Sequence, residues 1–205
     1  VKVVKGWATI VDGKTVDVAK DQADGKPVRI QGEHIVLATG SVELGLPGMP
    51  FGGRVISSTQ ALSPDSIPKK LVVVGGGYIG LELGLVYRKL GSDVTVVEAQ
   101  DRILPLYDEE LTKPVVASLR KLGVQVLLGS KVQGLNATGD AVRVLDATGR
   151  ESELAADQVL VAIGRAPHTH GWGLEKLMLA MNGRAIKVDD QCRTSMRNVW
   201  AIGDL

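Results

Sequence analysis

The sequence has 205 residues, a length that suits one or two domains and allows a sizeable core. Its formal net charge of +1 gives no reason to expect a nucleic-acid or membrane partner, and no apolar run approaches the roughly 20 residues that span a bilayer. The single cysteine, Cys192, rules out an internal disulfide and a thiolate metal cluster, so we expect a cytoplasmic protein without a metal site. Because Val1 opens within an apolar stretch without a methionine or a signal sequence, and Leu205 follows a strand, we expect a segment of a longer protein.

The first 40 residues are predicted to form short β segments separated by turns. These segments are 1–4, 7–11, 15–18, 27–30 and 34–38, with turns at Asp12-Gly13 and Asp24-Gly25. Glycine and proline are then dense over 45–53, which indicates a boundary between domains near residue 47. A short helix over 57–62, opened by Ser57 or Ser58, is expected next.

Residues 70–98 carry the strongest pattern, a strand, a glycine turn, a helix and a second strand. Gly75 lets the chain turn out of the strand, Gly77 clears the space where a pyrophosphate approaches the backbone, and Gly80 lets the helix pack close to the sheet. Gly91 ends the helix, and Glu98 follows the second strand, where its carboxylate can accept hydrogen bonds from an adenosine ribose. The sequence therefore predicts an α/β, Rossmann-like parallel sheet that binds a dinucleotide.

The acid at the end of this unit also predicts which dinucleotide binds. A carboxylate about 4 Å from a 2′-phosphate would cost roughly 4 kcal/mol per unit charge at an effective dielectric of 20, so Glu98 favours NAD(H) over NADP(H). Arg102, in the following loop, would instead favour NADP(H). The apolar positions at helical spacing after the glycine turn are Ile79, Leu83, Val86, Tyr87 and Leu90.

The rest of the chain is predicted to complete the sheet and then change pattern. A helix over 108–122, with Pro114 in its early turns and Gly123 at its end, precedes a strand over 124–128. An antiparallel β-meander over 131–135, 141–146 and 151–154 is expected to lie across the sheet. A strand over 157–163, a helical turn over 174–178, and strands over 185–188 and 199–202 follow.

Five motifs, in their order and spacing, resemble the flavoprotein disulfide reductases, and among them the dihydrolipoamide dehydrogenases. They are ATGS at 38–41, VVVGGGYIGLELG at 72–84, VVEAQDRILP at 96–105, VAIGRAP at 161–167 and VWAIGD at 199–204. The resemblance implies an enzyme in which dihydrolipoamide reduces a disulfide, the dithiol reduces FAD, and a hydride passes to NAD+. It also implies a homodimer within a 2-oxo acid dehydrogenase complex.

The resemblance assigns roles to further residues. On the NAD side, Gly164 is implied to contact NAD, Glu82 to orient the nicotinamide, and Tyr78 to lie over the flavin. Ile79, which lies in the same glycine fingerprint, is also expected to bind the cofactor.

On the FAD side, Asp204 is implied to bind the ribityl chain, and Thr39 and Gly40 to pass near the same cofactor. The implied organisation is an FAD-domain fragment over 1–47, the NAD-binding domain over 48–168, and a return segment into the FAD domain over 169–205.

Parts of the reductase pattern are missing from the 205 residues. The pair of redox cysteines, the first FAD fingerprint and the C-terminal domain with its catalytic histidine are absent. The FAD site is therefore expected to be incomplete, no residue here is expected to be catalytic, and the segment alone is expected to be inactive. The missing FAD and dimerisation domains are its expected partners.

Alternative interpretations stay open. The segment could come from mercuric reductase, glutathione reductase or a transhydrogenase, or it could be a stand-alone module that senses NAD. Individual residues also have plain structural alternatives. Tyr78 could pack against neighbouring side chains, Glu82 could interact favourably with the positive end of the helix dipole, and Asp204 could cap a helix. His168 and His170 lie in a loop without a third metal ligand in view.

Overall fold

A computed structural model describes residues 1–20 and 26–205. The described chain divides into two compact units, one formed by Val1–Val42 with Arg165–Leu205 and the other by Glu43–Gly164. The predicted turn at Asp24-Gly25 lies outside the described residues. The assignment of 1–47, 48–168 and 169–205 to particular cofactors remains a prediction.

The helices and strands follow the predicted order with a few additions. The strands are β1 Trp7–Asp12, β2 Thr15–Ala19, β3 Val28–Gln31, β4 Ile35–Leu37, β5 Ser41–Glu43, β6 Val55–Ile56, β7 Lys70–Val74, β8 Asp93–Val97, β9 Gln125–Leu127, β10 Lys131–Leu135, β11 Ala141–Leu145, β12 Glu151–Ala155, β13 Gln158–Val161, β14 Arg165–Pro167, β15 Met181–Asn182, β16 Ala185–Ile186 and β17 Val199–Ala201. The helices are α1 Ser58–Ala61, α2 Tyr78–Lys89 and α3 Glu109–Lys121, with a 3₁₀ turn at Leu174–Leu177. No helix in the described part of the chain is both long and apolar enough to cross a membrane.

The unit Glu43–Gly164 is built on a five-stranded sheet in the order β6-β13-β7-β8-β9. Every pair of neighbours in this sheet runs parallel. Helix α2 connects β7 to β8, and α3 connects β8 to β9. This confirms the predicted α/β architecture with its parallel sheet.

Both faces of the sheet are covered, as expected for a parallel sheet with apolar strands. Leu71 and Val73 of β7 belong to the core under the helices, which also contains Leu81 and Leu119. Their neighbours Val72 and Val74 belong to a second core, which contains Val142 of the meander β10-β11-β12. The meander therefore lies across the sheet, as predicted, and it covers the face opposite the helices.

Helix α2 buries only part of the face that its apolar residues indicated: Tyr87 is buried and Leu83 packs against the core, but the other end of that face is not covered. Val86 and Leu90 are half exposed, whereas Leu81 and Tyr87 are buried together with Gly80 and Gly84. A Cβ at Gly84 would lie 3.5 Å from the side chains of Val73 and Val94, so the glycines face the strands directly. Because these glycines carry no side chain, a spacing argument based on large apolar residues could not find the buried line.

The predicted helix boundaries are confirmed by their capping contacts. Ser57 begins α1 through a capping box in which its hydroxyl accepts from the Gln60 N–H at 3.3 Å and the Gln60 side chain accepts from the Ser57 N–H at 2.9 Å. The Asp108 carboxylate accepts from the Glu110 N–H at 2.9 Å and begins α3. Gly91 and Gly123 follow α2 and α3 with φ of 104° and 72°.

The unit Val1–Val42 with Arg165–Leu205 is mainly β structure. It contains the antiparallel sheet β1-β2-β3, the parallel pair β4 and β17, and the hairpin β15-β16. Its core includes Ile10, Leu37, Trp172 and Val199. Strands β4 and β17 run side by side with Leu37 opposite Ala201, so the residues that follow both strands lie beyond the same edge.

The prediction of a strand over 1–4 is wrong. Residues 1–5 form no strand, and Val1 and Val3 are largely exposed, because they have neither a paired strand nor a core to cover them. The sequence also failed to show β5, β6, β14 and β15. Each is only two or three residues long, too short for an alternating pattern to appear.

Candidate dinucleotide site

The glycine turn between β7 and α2 is set by two close backbone contacts. Gly75 has a φ of 108°, and a Cβ there would lie 2.5 Å from the carbonyl oxygen of Ala162. A Cβ at Gly80 would lie 2.3 Å from the carbonyl oxygen of Gly75 and 3.1 Å from the side chain of Val73. Both distances are far inside a normal contact, so the predicted reasons for these two glycines hold: a sharp turn at Gly75 and close packing of the helix at Gly80.

Gly77 is in the opposite situation, since a Cβ there would meet no atom of residues 1–20 or 26–205 within 4 Å. It is the N-cap of α2, and no side chain caps the helix at this position. The first N–H groups of α2 therefore point out of the helix without a capping side chain, and the helix dipole adds partial positive charge there. Open space beside uncapped N–H groups is what a pyrophosphate needs.

Glu98 is buried directly after β8 and is held by two backbone donors. Its Oε2 accepts from the Gly76 N–H at 2.6 Å, and its Oε1 accepts from the Gln100 N–H at 2.8 Å. Its own N–H donates to the Leu127 carbonyl at 2.9 Å. Each carboxylate oxygen has a further lone pair, so the group can still accept hydrogen bonds from a diol.

Gly76 is the site residue that the sequence argument missed. Besides its bond to Glu98, a Cβ at Gly76 would lie 3.1 Å from Glu98 Oε2 and 3.1 Å from the Ile103 side chain. The only available signal was that Gly76 is the middle residue of three consecutive glycines, Gly75-Gly76-Gly77. The usual fingerprint assigns no role to the residue at this position.

Arg102, which could have argued for NADP(H), is engaged within its own loop. Its Nη2 donates to the carbonyl oxygens of Pro105 and Tyr107, the latter at 3.1 Å. The side chain is partly buried. Its contacts are with backbone carbonyls of the segment that follows it.

The three predicted contacts on the first turns of α2 differ in exposure. Tyr78 is 55% exposed, Ile79 is partly buried, and Glu82 is exposed. All three lie within the first five residues of α2, which begins directly after Gly77 of the glycine turn. Gly164 follows β13, which pairs with β7, and has a φ of 140°; its carbonyl accepts from the Leu44 N–H at 3.0 Å.

The residues implied for FAD lie in the other unit. The Thr39 hydroxyl donates to the His168 carbonyl at 3.0 Å, and the His168 N–H donates to the Gly40 carbonyl at 2.8 Å. Gly40 has a φ of 67°, and Asp204 is exposed. Thr39 and Asp204 follow the paired strands β4 and β17 respectively, so the fold places them beyond the same edge.

Metal binding receives no support from the geometry. Within residues 1–20 and 26–205, the structure contains no group of three or more His, Cys, Asp or Glu side chains placed to hold a metal ion. Cys192 is exposed and has a φ of 60°.

The chain is similar to known proteins over its whole length. The whole chain, residues 1–205, matches the family described as pyridine nucleotide-disulphide oxidoreductase. A dihydrolipoyl dehydrogenase from Pseudomonas aeruginosa is 65% identical over 205 residues, which are all of this chain and 43% of that protein. A leghemoglobin reductase from Vigna unguiculata is 42% identical over 210 residues, covering all of this chain and 40% of that protein.

Solved structures give the same result at the level of the fold. The HOCl-induced flavoprotein disulfide reductase RclA from Escherichia coli superposes with a TM-score of 0.85 at 30% identity, over 99% of this chain and 45% of that one. The chain thus spans less than half the length of these relatives. Because the family match runs through all 205 residues, the chain belongs to the pyridine nucleotide-disulphide oxidoreductase family.

Proposed function

We propose that the unit Glu43–Gly164 binds NAD(H) in preference to NADP(H), as the NAD-binding portion of a dihydrolipoamide dehydrogenase. The observation that carries this proposal is the buried Glu98 carboxylate, fixed by the Gly76 and Gln100 N–H groups next to the open turn at Gly77. A fixed acid beside a pyrophosphate site accepts ribose hydroxyls and repels a 2′-phosphate.

Each residue of the site has a part in binding. Gly75 and Gly80 hold the turn and the helix close to the sheet, so that the N–H groups after Gly77 meet the pyrophosphate. Glu98 accepts from the adenosine ribose at one end. Ile79 and Gly164 would contact NAD, Glu82 would orient the nicotinamide, and Tyr78 would lie over the flavin. Bound NAD+ would supply the hydride acceptor.

The proposal extends to the second cofactor and to the parent protein. Thr39, Gly40 and Asp204 would contact FAD, with the remainder of that site supplied by other parts of the parent. The parent would be a homodimer in a 2-oxo acid dehydrogenase complex, acting in the cytoplasm. Support for dihydrolipoamide as the substrate comes from the relative that is 65% identical over the whole chain.

Another reductase of the same family is the second candidate. This chain is also similar to parts of RclA, at 30% identity, and of the leghemoglobin reductase, at 42% identity, and neither protein is named a dihydrolipoyl dehydrogenase. The higher identity to a dihydrolipoyl dehydrogenase favours the first candidate. A module that only senses NAD is the third, and it would share the same NADH preference.

The test is a titration of the 205-residue chain with NADH and with NADPH by calorimetry. We expect clear preference for NADH, and Glu98→Arg should shift the preference toward NADPH, because it replaces a repulsive charge near the 2′-phosphate by an attractive one. Glu151→Arg, the same change on the exposed strand β12, is the matched control and should leave the preference unchanged. Equal affinity of the unmodified chain for the two nucleotides would contradict the role of Glu98.

A further inference from the structure

The loop after Glu98 is folded back onto the glycine turn. The Leu104 N–H donates to the Gly76 carbonyl at 2.9 Å, while the Gly76 N–H donates to Glu98. Ile103, 3% exposed, packs beside Gly76. The two hydrogen-bonding groups of Gly76 thus connect the loop on one side to the acid on the other.

Leu104 makes this contact from an unfavourable backbone conformation. Its φ is 50°, in the left-handed region that a branched side chain rarely adopts. A turn holds it there, in which the Tyr107 N–H donates to the Leu104 carbonyl at 3.0 Å. Such a conformation persists only where surrounding contacts fix it.

Arg102 supplies two of those contacts, and the Leu104 side chain also packs against the core under the helices. Its Nη2 bonds the carbonyls of Pro105 and Tyr107, the residue that follows Leu104 and the residue that closes the turn. A guanidinium carries several donors in a rigid plane, which suits it to joining two carbonyls at once. Removing it would release the turn and, with it, the Leu104 bond to Gly76.

We propose that Arg102 is a positioning residue for cofactor selection: it clamps the turn at Leu104, which fixes Gly76 and thereby the Glu98 carboxylate that meets the adenosine ribose. This rests on the proposed function, since it concerns the same NAD(H) site. Arg102 therefore supports NADH binding, opposite to the role of a phosphate ligand suggested by its position after Glu98.

The first measurement needs no nucleotide. Amide hydrogen exchange of the chain should show the Leu104 and Gly76 N–H groups exchanging about tenfold faster in Arg102→Ala than in the unmodified chain, as expected when a local clamp is lost. Arg120→Ala, an exposed arginine in the last turn of α3, is the matched control and should leave both rates unchanged. Unchanged rates at Leu104 in Arg102→Ala would overturn the clamp, whatever the nucleotide affinities are.

The second measurement tests whether Arg102 acts through Glu98. Arg102→Ala should weaken NADH binding about fivefold, equal to about 1 kcal/mol, and in a Glu98→Ala background the same change should cost less than about twofold. In that background NADPH binding should also be unaffected by Arg102→Ala. A selective loss of NADPH affinity would show a phosphate ligand instead, and equal losses of NADH affinity with and without Glu98 would show that Arg102 does not act through the acid.

The two measurements separate the failure of this inference from the failure of the proposed function. If the unmodified chain bound no NADH, the NAD site itself would be refuted. If it bound NADH and only the Arg102 effects were missing, the site would stand and the positioning role of Arg102 would be refuted.

Discussion

The close approach of α2 to the sheet predicts opposite effects for two glycine-to-alanine changes in the same helix. A Cβ at Gly80 would lie 2.3 Å from the Gly75 carbonyl oxygen and 3.1 Å from the Val73 side chain, so the helix must move outward by about 1 Å to reach a normal contact. Such overpacking typically costs about 1–3 kcal/mol. The gain in helix propensity from glycine to alanine, about 1 kcal/mol, reduces the net loss of stability to at most about 2 kcal/mol.

Gly84 provides the matched control one turn later. A Cβ there would lie 3.5 Å from the Val73 and Val94 side chains, an ordinary van der Waals contact. Gly84→Ala therefore keeps the helix in place and gains up to about 1 kcal/mol of helix propensity. Gly80→Ala should thus be less stable than Gly84→Ala by about 1–3 kcal/mol.

Urea unfolding followed by circular dichroism measures the free energies of unfolding of the two variants, and calorimetry measures their NADH affinity. Gly80→Ala should also bind NADH more weakly, because an outward shift of α2 moves its N–H groups away from the pyrophosphate. Equal stability of the two variants, with unchanged NADH affinity in Gly80→Ala, would refute the steric role assigned to Gly80.

Two further predictions follow. The pKa of Asp17 is lowered below 3.8, chiefly by the side-chain hydrogen bonds from Arg29. The Asp17 carboxylate therefore stabilises the fold above the unfolded-state pKa. This stabilisation is lost as the pH falls through the folded-state pKa. Carbon NMR titration should show a low midpoint that rises toward 3.8 in Arg29→Ala, and an unchanged midpoint would remove Arg29 as the cause. With FAD and dihydrolipoamide added, the 205-residue chain should not reduce NAD+, since Cys192 is its single cysteine and a redox disulfide needs two. Absorbance at the NADH band measures the formation of NADH. Turnover would contradict the need for other parts of the parent.

The unit from β7 to β8 could be predicted closely from the sequence because its signals are local. An apolar strand, glycines at fixed spacing, helical periodicity and an acid after the next strand each constrain neighbouring residues only. Ser57, Asp108 and Gly123 likewise marked helix ends through capping rules that depend on one turn of chain. These expectations are confirmed by the structure.

Long-range packing accounts for the errors. On α2 the buried face includes Gly80 and Gly84, because the strand residues Val73 and Val94 lie close to them. Val86 and Leu90 are half exposed. The prediction of a strand over 1–4 was wrong because an apolar segment needs a neighbouring strand to pair with before it forms a strand.

By itself the sequence determined that this chain carries a dinucleotide fingerprint on a parallel sheet, because the glycines and the acid follow local rules of backbone conformation and spacing. The tertiary structure alone decided how Glu98 is held. It brought Gly76 within 2.6 Å of that carboxylate from 22 residues away, and it turned the Arg102 guanidinium toward the Pro105 and Tyr107 carbonyls. Such contacts arise when the chain folds back on itself, and no local pattern records which donor will meet which acceptor.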